Sequence, residues 1–207
     1  MSEEQTTVHV IDDDPSVRDA ITGMLSSIGL QVRAFASAQE FLYAGLPEGP
    51  NCLVLDVRLP GSSGLEFQDQ LVRLNIHVPI VFITGFADIP MTVRAMKGGA
   101  VEFLTKPFRD QDLLDAIQHA LEGDRTARRM RTELAQLQQR FDTLTDRERQ
   151  VMAAVLAGKL SREIAAELGT SEITVKVQRS RIMRKLGADS LIELVRIAER
   201  LNQGAPK

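Results

Sequence analysis

Apolar residues follow two rhythms along this chain. Up to about residue 122, short continuous apolar runs alternate with stretches in which apolar residues recur every three or four positions; beyond it only the second rhythm remains. The runs are Thr7-Val8-His9-Val10-Ile11, Gln31-Val32-Arg33-Ala34-Phe35, Cys52-Leu53-Val54-Leu55, Pro79-Ile80-Val81-Phe82-Ile83 and Val101-Glu102-Phe103-Leu104-Thr105. Runs of this kind read as the buried strands of a parallel sheet. The stretches between them read as helices. One opens at Pro15, a residue suited to the first helical position, carries Val17, Ile21, Met24, Leu25 and Ile28 on one side, and stops at Gly29. A second comes after Ser62-Ser63-Gly64 with Leu65, Leu71 and Leu74 on its apolar side. Others run from Pro90 to Lys97 before Gly98-Gly99, and from near Asp110 through Leu113, Leu114, Ile117 and Leu121. Repeating strand–helix order predicts right-handed crossovers, and so an α/β unit with helices on both faces of a five-stranded parallel, doubly wound sheet.

Residues 122–144 contain no proline and only Gly123 as a breaker. Ala127, Met130, Leu134, Leu137, Phe141 and Leu144 recur there at alternating spacings of three and four, a heptad seam. The seam is short for an independent coiled coil. It suits either a pairing between two chains or a linker helix lying on its own upstream unit. Thr145-Asp146-Arg147-Glu148 is a capping box and opens a further helix with Val151, Met152, Val155 and Leu156 apolar, stopped at Gly158. A second short helix begins at Ser161 and ends near Leu168-Gly169; Thr170-Ser171 caps a third that reaches Leu186-Gly187; a fourth runs from about Ser190 to Leu201, with residues 202–207 expected to fray. The expected domains are therefore residues 1–122, a helical linker over 123–143, and a small all-α unit over 144–207.

Charge separates the same halves. Residues 1–124 hold 8 Lys and Arg against 18 Asp and Glu, a net of −10; residues 125–207 hold 17 against 10, a net of +7. An acidic unit joined to a basic one suggests regulation coupled to polyanion binding. The one cysteine, Cys52, sits within an apolar run and reads as a buried small hydrophobe, and His9, His77 and His119 show no ligand spacing. The acidic, polar start carries no secretory leader, and no apolar stretch is long enough to span a bilayer, so the expected location is the cytoplasm with no membrane partner.

The chemistry lies just beyond each strand. Asp12-Asp13-Asp14, Asp56, Thr84 and Lys106-Pro107 each close an apolar run. Ligands of parallel sheets bind at the carboxyl ends of the strands, so three acids, a hydroxyl and a lysine converge on one edge. Carboxylates with an ammonium suit a hard cation and a phosphoryl group. An Asp run, a lone Asp or a Lys-Pro pair is commonplace alone; their joint occurrence at successive strand ends is specific.

This pattern resembles the receiver domain of bacterial two-component response regulators over about residues 5–122. The wording Ile83-Thr84-Gly85-Phe86-Ala87-Asp88-Ile89-Pro90-Met91, then Ala95-Met96-Lys97-Gly98-Gly99-Ala100, is similar to the FixJ subfamily, which includes nitrogen-fixation and styrene-degradation regulators. The resemblance implies a flavodoxin-like sheet order and Asp56 as phosphoacceptor. It implies a Mg²⁺ site from Asp13, Asp56 and the backbone carbonyl of Arg58, with Asp12 acting through water. Thr84 becomes the switch hydroxyl, Lys106 the phosphate partner, and Phe103 the aromatic residue that turns inward when Thr84 moves. It further implies a cis Lys106-Pro107 bond, a sensor histidine kinase as phosphoryl donor, and a homodimer formed on phosphorylation through the face spanning residues 89–105.

Residues 161–186 have helix-turn-helix spacing. The second of these helices carries Lys176, Arg179, Arg181, Arg184 and Lys185 against Glu172, with Ile173, Val177, Ile182, Met183 and Leu186 as its apolar positions. Leu144-Thr145-Asp146-Arg147-Glu148-Arg149-Gln150-Val151, then Glu163-Ile164-Ala165, then Thr174-Val175-Lys176, resembles the LuxR-type output domain over residues 144–196. That resemblance implies promoter DNA and RNA polymerase as partners. It puts Lys176, Val177 and Ser180 in the major groove and Arg179 and Arg184 on phosphates. Gln178 departs from the family's usual histidine, which puts individual base assignments in doubt. With no Trp or Tyr and only Phe141 among its aromatics, the basic half offers no stacking platform for RNA.

The expected protein is thus no enzyme with an external substrate but a phosphorylation-switched regulator of transcription, an activator. Two other readings stand beside it: an interaction module whose receiver works unphosphorylated, and an aspartate-nucleophile phosphatase. The phosphatase needs a second carboxylate two residues after Asp56, where this chain has Arg58.

Overall fold

Continuous apolar runs on the strands and three-to-four spacing on the helices build the expected layers. The computed structural model describes residues 5–204. In chain order the elements are β1 (Thr7–Ile11), α1 (Pro15–Ser27), β2 (Gln31–Phe35), α2 (Ala38–Ala44), β3 (Asn51–Asp56), β4 (Arg58–Leu59), β5 (Ser62–Ser63), α3 (Gly64–Arg73), β6 (Ile80–Thr84), α4 (Ile89–Lys97), β7 (Glu102–Thr105), α5 (Asp110–Asp142), α6 (Asp146–Leu156), α7 (Ser161–Glu167), α8 (Glu172–Leu186) and α9 (Leu191–Gly204). The described residues fall into two compact units that divide between Arg128 and Arg129.

In the first unit, five strands form a parallel sheet in the order β2-β1-β3-β6-β7. Successive residues of each strand serve opposite faces. Val8, Val10, Cys52, Val54, Val81 and Ile83 pack with Ile21 and Leu25 of α1 and with Leu113, Ile117 and Leu121 of α5. Ile11, Leu53, Leu55 and Phe82 pack instead with Phe41 of α2, Leu65, Phe67 and Leu71 of α3, and Ala95 of α4. The central strands β1, β3 and β6 are wholly buried, whereas the edge strands β2 and β7 are partly exposed. This accounts for Arg33 and Glu102 within runs otherwise apolar.

Four features escaped the sequence pattern. The helix α2 and the small antiparallel hairpin of β4 and β5 are too short to show a period. Leu74, which caps the C-terminal end of α3, is exposed while Phe67 and Gln68 of the helix are buried, so the buried face is rotated from the expected one. Gly123 does not break the chain: the helix opened at Asp110 runs unbroken for 33 residues. A helix-interior glycine costs about 1 kcal/mol against alanine. Here the next residue, Asp124, is buried and paired with the Asn51 backbone N–H and Arg128.

The second unit packs the end of α5 with four shorter helices. Leu137 and Leu144 share a core with Val151, Met152, Val155, Ile164, Val175, Ile182, Leu186, Leu194 and Ile197, and Phe141 packs against it. The C-terminal half of the heptad seam is therefore consumed inside its own downstream unit, an arrangement that neither sequence-based expectation contained. Met130, at the other end, is 62% exposed. The capping box forms as expected: Glu148 N donates to Thr145 Oγ1 at 3.2 Å and Thr145 N donates to Glu148 Oε2 at 2.9 Å. Helix α9 extends through Gly204, beyond the expected end; residues 205–207 lie outside the described residues.

Candidate functional site

Strand order decides where the chemistry sits. The chain leaves β1 toward β2 on one side and returns to β3 on the other, so a crevice opens at the carboxyl ends of β1 and β3. Ile11 is in register with Leu55, which puts Asp12 beside Asp56. The register Thr84↔Thr105 places Lys106 just beyond, and Lys106 N donates to Thr84 O at 2.7 Å. The Lys106-Pro107 bond is cis.

Lys106 joins the two acids. Its Nζ donates to Asp12 Oδ2 at 2.6 Å and to Asp56 Oδ2 at 2.9 Å. Burial opposes the charge on Lys106, but the two carboxylates outweigh it and hold its pKa above the ordinary lysine value. The remaining oxygens are held by backbone: Asp12 Oδ1 accepts Asp14 N at 2.9 Å, and Asp56 Oδ1 accepts Arg58 N at 3.0 Å. Arg18, from α1, donates to the carbonyls of Asp12 and Asp13 at 2.6 and 3.0 Å and so fixes the loop after β1. Gly64 makes room on the other side. A Cβ there would lie 2.4 Å from the Asp56 carbonyl oxygen, so the start of α3 can approach β3 only as glycine.

Among the described residues, Asp12, Asp13 and Asp56 form one cluster able to hold a metal ion, with carboxylate oxygens all within 4.8 Å of one another. Asp12 and Asp56 are buried and Asp13 is exposed. Three acids against one lysine leave an excess of negative charge, and the donors are all oxygen, which fits a small hard divalent cation.

Thr84 is buried, with its hydroxyl occupied by its own loop: it donates to Phe86 O and accepts from Phe86 N, both at 3.3 Å. The Phe86 ring is exposed and lies under the Arg58 guanidinium at 4.3 Å. Phe103 is half-buried, its ring 6.1 Å from that of Phe82. Beside this region Ile89, Val93 and Met96 form an exposed apolar row on α4.

In the second unit, the buried residues of α8 are Val175, Ile182 and Leu186. Ile173 and Val177, two of the helix's apolar positions, are 75% and 45% exposed. They line up instead with Lys176, Ser180 and Arg184 in an exposed stripe at helical spacing. Lys176 pairs with Glu172 at 2.9 Å on the surface. Arg179 is turned away; it is half-buried and donates to Ser161 Oγ on α7 at 3.2 Å. Ser171 caps the helix by accepting from Thr174 N at 3.1 Å, and Gly187 ends it in the left-handed conformation at φ +71°.

Residues 8–118 match the response regulator receiver domain, and residues 142–198 match the bacterial regulatory proteins of the luxR family. The chain belongs to the response regulators. It is 54% identical over 198 residues to nodulation protein W of Bradyrhizobium diazoefficiens, covering 96% of this chain and 87% of that one. It is 45% identical over 201 residues to response regulator protein TodT of Pseudomonas putida, covering 97% and 88%. Among solved structures, response regulator StyR is 49% identical with a TM-score of 0.85, covering 95% of this chain and 99% of that one. Full-length FixJ from B. japonicum is 39% identical with a TM-score of 0.58, covering 98% and 100%. This response regulator thus joins a receiver domain to a LuxR-type DNA-binding domain and is a regulator of transcription. No helix among its described residues is long and apolar enough to cross a membrane.

The sequence reading missed Arg18, Gly64 and the Arg58–Phe86 stack. Arg18 acts through backbone carbonyls, which have no sequence signature. Gly64 lay in view as a helix start, but its closeness to Asp56 depends on strand and helix meeting in space.

Proposed function

We propose that Asp56 accepts a phosphoryl group from a sensor histidine kinase and that this switches the chain into a promoter-binding dimer. The observation that carries the reading is the Lys106 bridge, 2.6 Å from Asp12 and 2.9 Å from Asp56, at the switch point of the sheet. In the transfer, a carboxylate oxygen of Asp56 forms a bond to phosphorus as the bond to the kinase's histidine nitrogen breaks; the product is an acyl phosphate. Asp13, Asp56 and the Arg58 carbonyl would hold Mg²⁺, with Asp12 engaged through water. When bound, that ion offsets the repulsion between the carboxylates and the incoming group. Lys106 supplies the protein's own positive charge and orients Asp56.

The phosphoryl group adds charge and acceptor oxygens. Thr84 gives up its two contacts with Phe86 to donate to them, and Phe103 packs into the space vacated. The exposed row Ile89, Val93 and Met96 then becomes part of a homodimer face. Paired output domains bind a two-part site in duplex DNA, with Lys176, Val177 and Ser180 toward base edges and Arg184 toward phosphates, while Arg179, expected on a phosphate, holds α8 to Ser161 of α7 instead. The outcome is promoter activation through RNA polymerase, in the cytoplasm.

Asp56→Asn tests the first step. It is expected to abolish Mg²⁺-dependent labelling by acetyl phosphate while circular dichroism stays native. Undiminished labelling would reject Asp56 as the acceptor.

A further inference from the structure

Five bases stand on α8, yet they do not face one way. Lys176, Arg181 and Arg184 are exposed. At about 100° per residue, Lys185 falls on the flank of the buried face, away from the stripe that carries Lys176, Val177 and Ser180. Its Nζ is engaged twice within the unit, with Glu148 Oε2 at 2.6 Å and with the Thr143 carbonyl at 2.9 Å. Glu148 is 5% exposed and also closes the capping box of α6. The Lys185 ammonium, followed by the Thr145 N–H, holds the Glu148 carboxyl below the usual carboxylate range.

The neighbouring contacts converge on the same joint. Arg140, near the end of α5, lies against the glycine that terminates α8: a Cβ on Gly187 would be 3.0 Å from Arg140 Nη1. Leu137, Phe141 and Leu144 pack into the core that also holds Val175, Ile182 and Leu186. Near its middle, α8 is fastened to α7 by Arg179 and Ser161. The helix is thus held at two polar points, neither on its exposed stripe.

We propose that Lys185 is a positioning residue for DNA reading and not a DNA ligand: by tying the C-terminal end of α8 to Glu148 and Thr143, it sets the angle at which the exposed stripe enters the groove. The inference rests on α8 being the reading helix. It also makes the end of α5 part of the reading device, because the carbonyl of Thr143, the residue that follows the helix, is one of the two anchors.

The test uses the full chain, treated with acetyl phosphate and Mg²⁺. Two duplexes serve as probes: one enriched from a random pool by the unaltered chain, and one of mixed sequence. Lys185→Gln is expected to lower affinity for the enriched duplex about tenfold, the scale of one misaligned base contact, while leaving mixed-sequence binding and its salt dependence unchanged. Glu148→Gln should do the same from the other side of the pair, because glutamine keeps the capping box and loses only the charge. Lys185→Arg should largely restore the preference, and the double variant Glu148→Gln, Lys185→Gln should be no worse than either single change. Loss of affinity for both duplexes, with the salt slope reduced by about 0.9, would make Lys185 a phosphate ligand and overturn the proposal. A lowered melting temperature with unchanged affinities below it would reduce the pair to fold stability, and would overturn it equally. Should Lys176→Ala leave the enriched duplex fully bound, the fault lies with the choice of α8 itself, a separable failure.

Discussion

Asp124 holds Asn51 across 73 residues of sequence: its Oδ2 accepts the backbone N–H that opens β3 at 2.8 Å, and both residues are buried. The same oxygen accepts from Arg128 Nε at 2.7 Å. Asn51 spends its side chain on the loop before β3, donating to Pro47 O at 3.1 Å and Gly49 O at 2.8 Å. The pair fastens α5 to the amino-terminal edge of the sheet, at the opposite end of the strands from Asp56. Asp124→Ala leaves a buried N–H without its acceptor, at a cost of about 1–3 kcal/mol. The expected outcome is a lower denaturation midpoint for the receiver unit and faster amide exchange in α5 near Asp124. Unchanged exchange there would show that the carboxylate does not fasten the helix.

His9 extends this network. Its Nε2 meets Asn51 Oδ1 at 2.8 Å, its ring lies among Phe35 and Phe41, and its buried Nδ1 has no partner. Burial is the main cause that lowers its pKa below the ordinary histidine value of 6.5. The unfolded chain therefore takes up a proton on this residue before the folded chain does. Stability from this source is intact above the unfolded value, falls as pH drops through it, and levels off below the folded value. Denaturation midpoints compared between pH 7 and pH 5 should fall more for the unaltered chain than for His9→Gln. Equal falls would place the acid sensitivity elsewhere.

Leu137 and Met130 occupy equivalent seam positions and should behave differently. Leu137 is 8% exposed within the output core, while Met130 is 62% exposed. Leu137→Ala is expected to destabilise the output unit by about 2–4 kcal/mol in thermal unfolding, because it opens a cavity. Met130→Ala should fall within about 0.5 kcal/mol of the unaltered chain. Comparable losses at both sites would instead indicate a seam buried along its whole length by another chain.

On α8, Lys176→Ala should weaken binding to the preferred duplex by about 1–3 kcal/mol and relax preference at one base position. Arg184→Ala should weaken all sequences alike and reduce the salt slope by about 0.9. Footprints untouched by either substitution would exclude this stripe as the reading surface.

The receiver's plan was legible because two kinds of signal agreed. Strands buried on both faces must be continuous apolar runs, and strand ends that carry chemistry must break those runs with polar residues; Asp12, Asp56, Thr84 and Lys106 stood out on that basis. The capping box at Thr145 and Glu148 was equally local, since its two hydrogen bonds lie within four residues. The face of α8 was harder to read. Ile173 looks like a core residue by type, and Val175 is not among the apolar positions read from the sequence; packing turns Val175 inward and leaves Ile173 out beside Val177. An apolar residue wanted at a groove and one wanted in a core have the same composition.

What the sequence determined alone is whatever depends on neighbours within a few positions: the strand and helix periods, the caps, the separation of an acidic half from a basic one, and the set of residues at the strand ends. Tertiary structure decided the rest. It set Lys106 between Asp12 and Asp56, gave the second half of the heptad seam to the output core, buried Asp124 in the middle of a charged stretch, and drew Lys185 away from the other bases to Glu148 and Thr143. These contacts join residues 37 to 94 positions apart, or choose one helix face over another. Local patterns carry no record of such distances, because the partner of a charge or an apolar side chain is fixed by which surfaces the folded chain brings together.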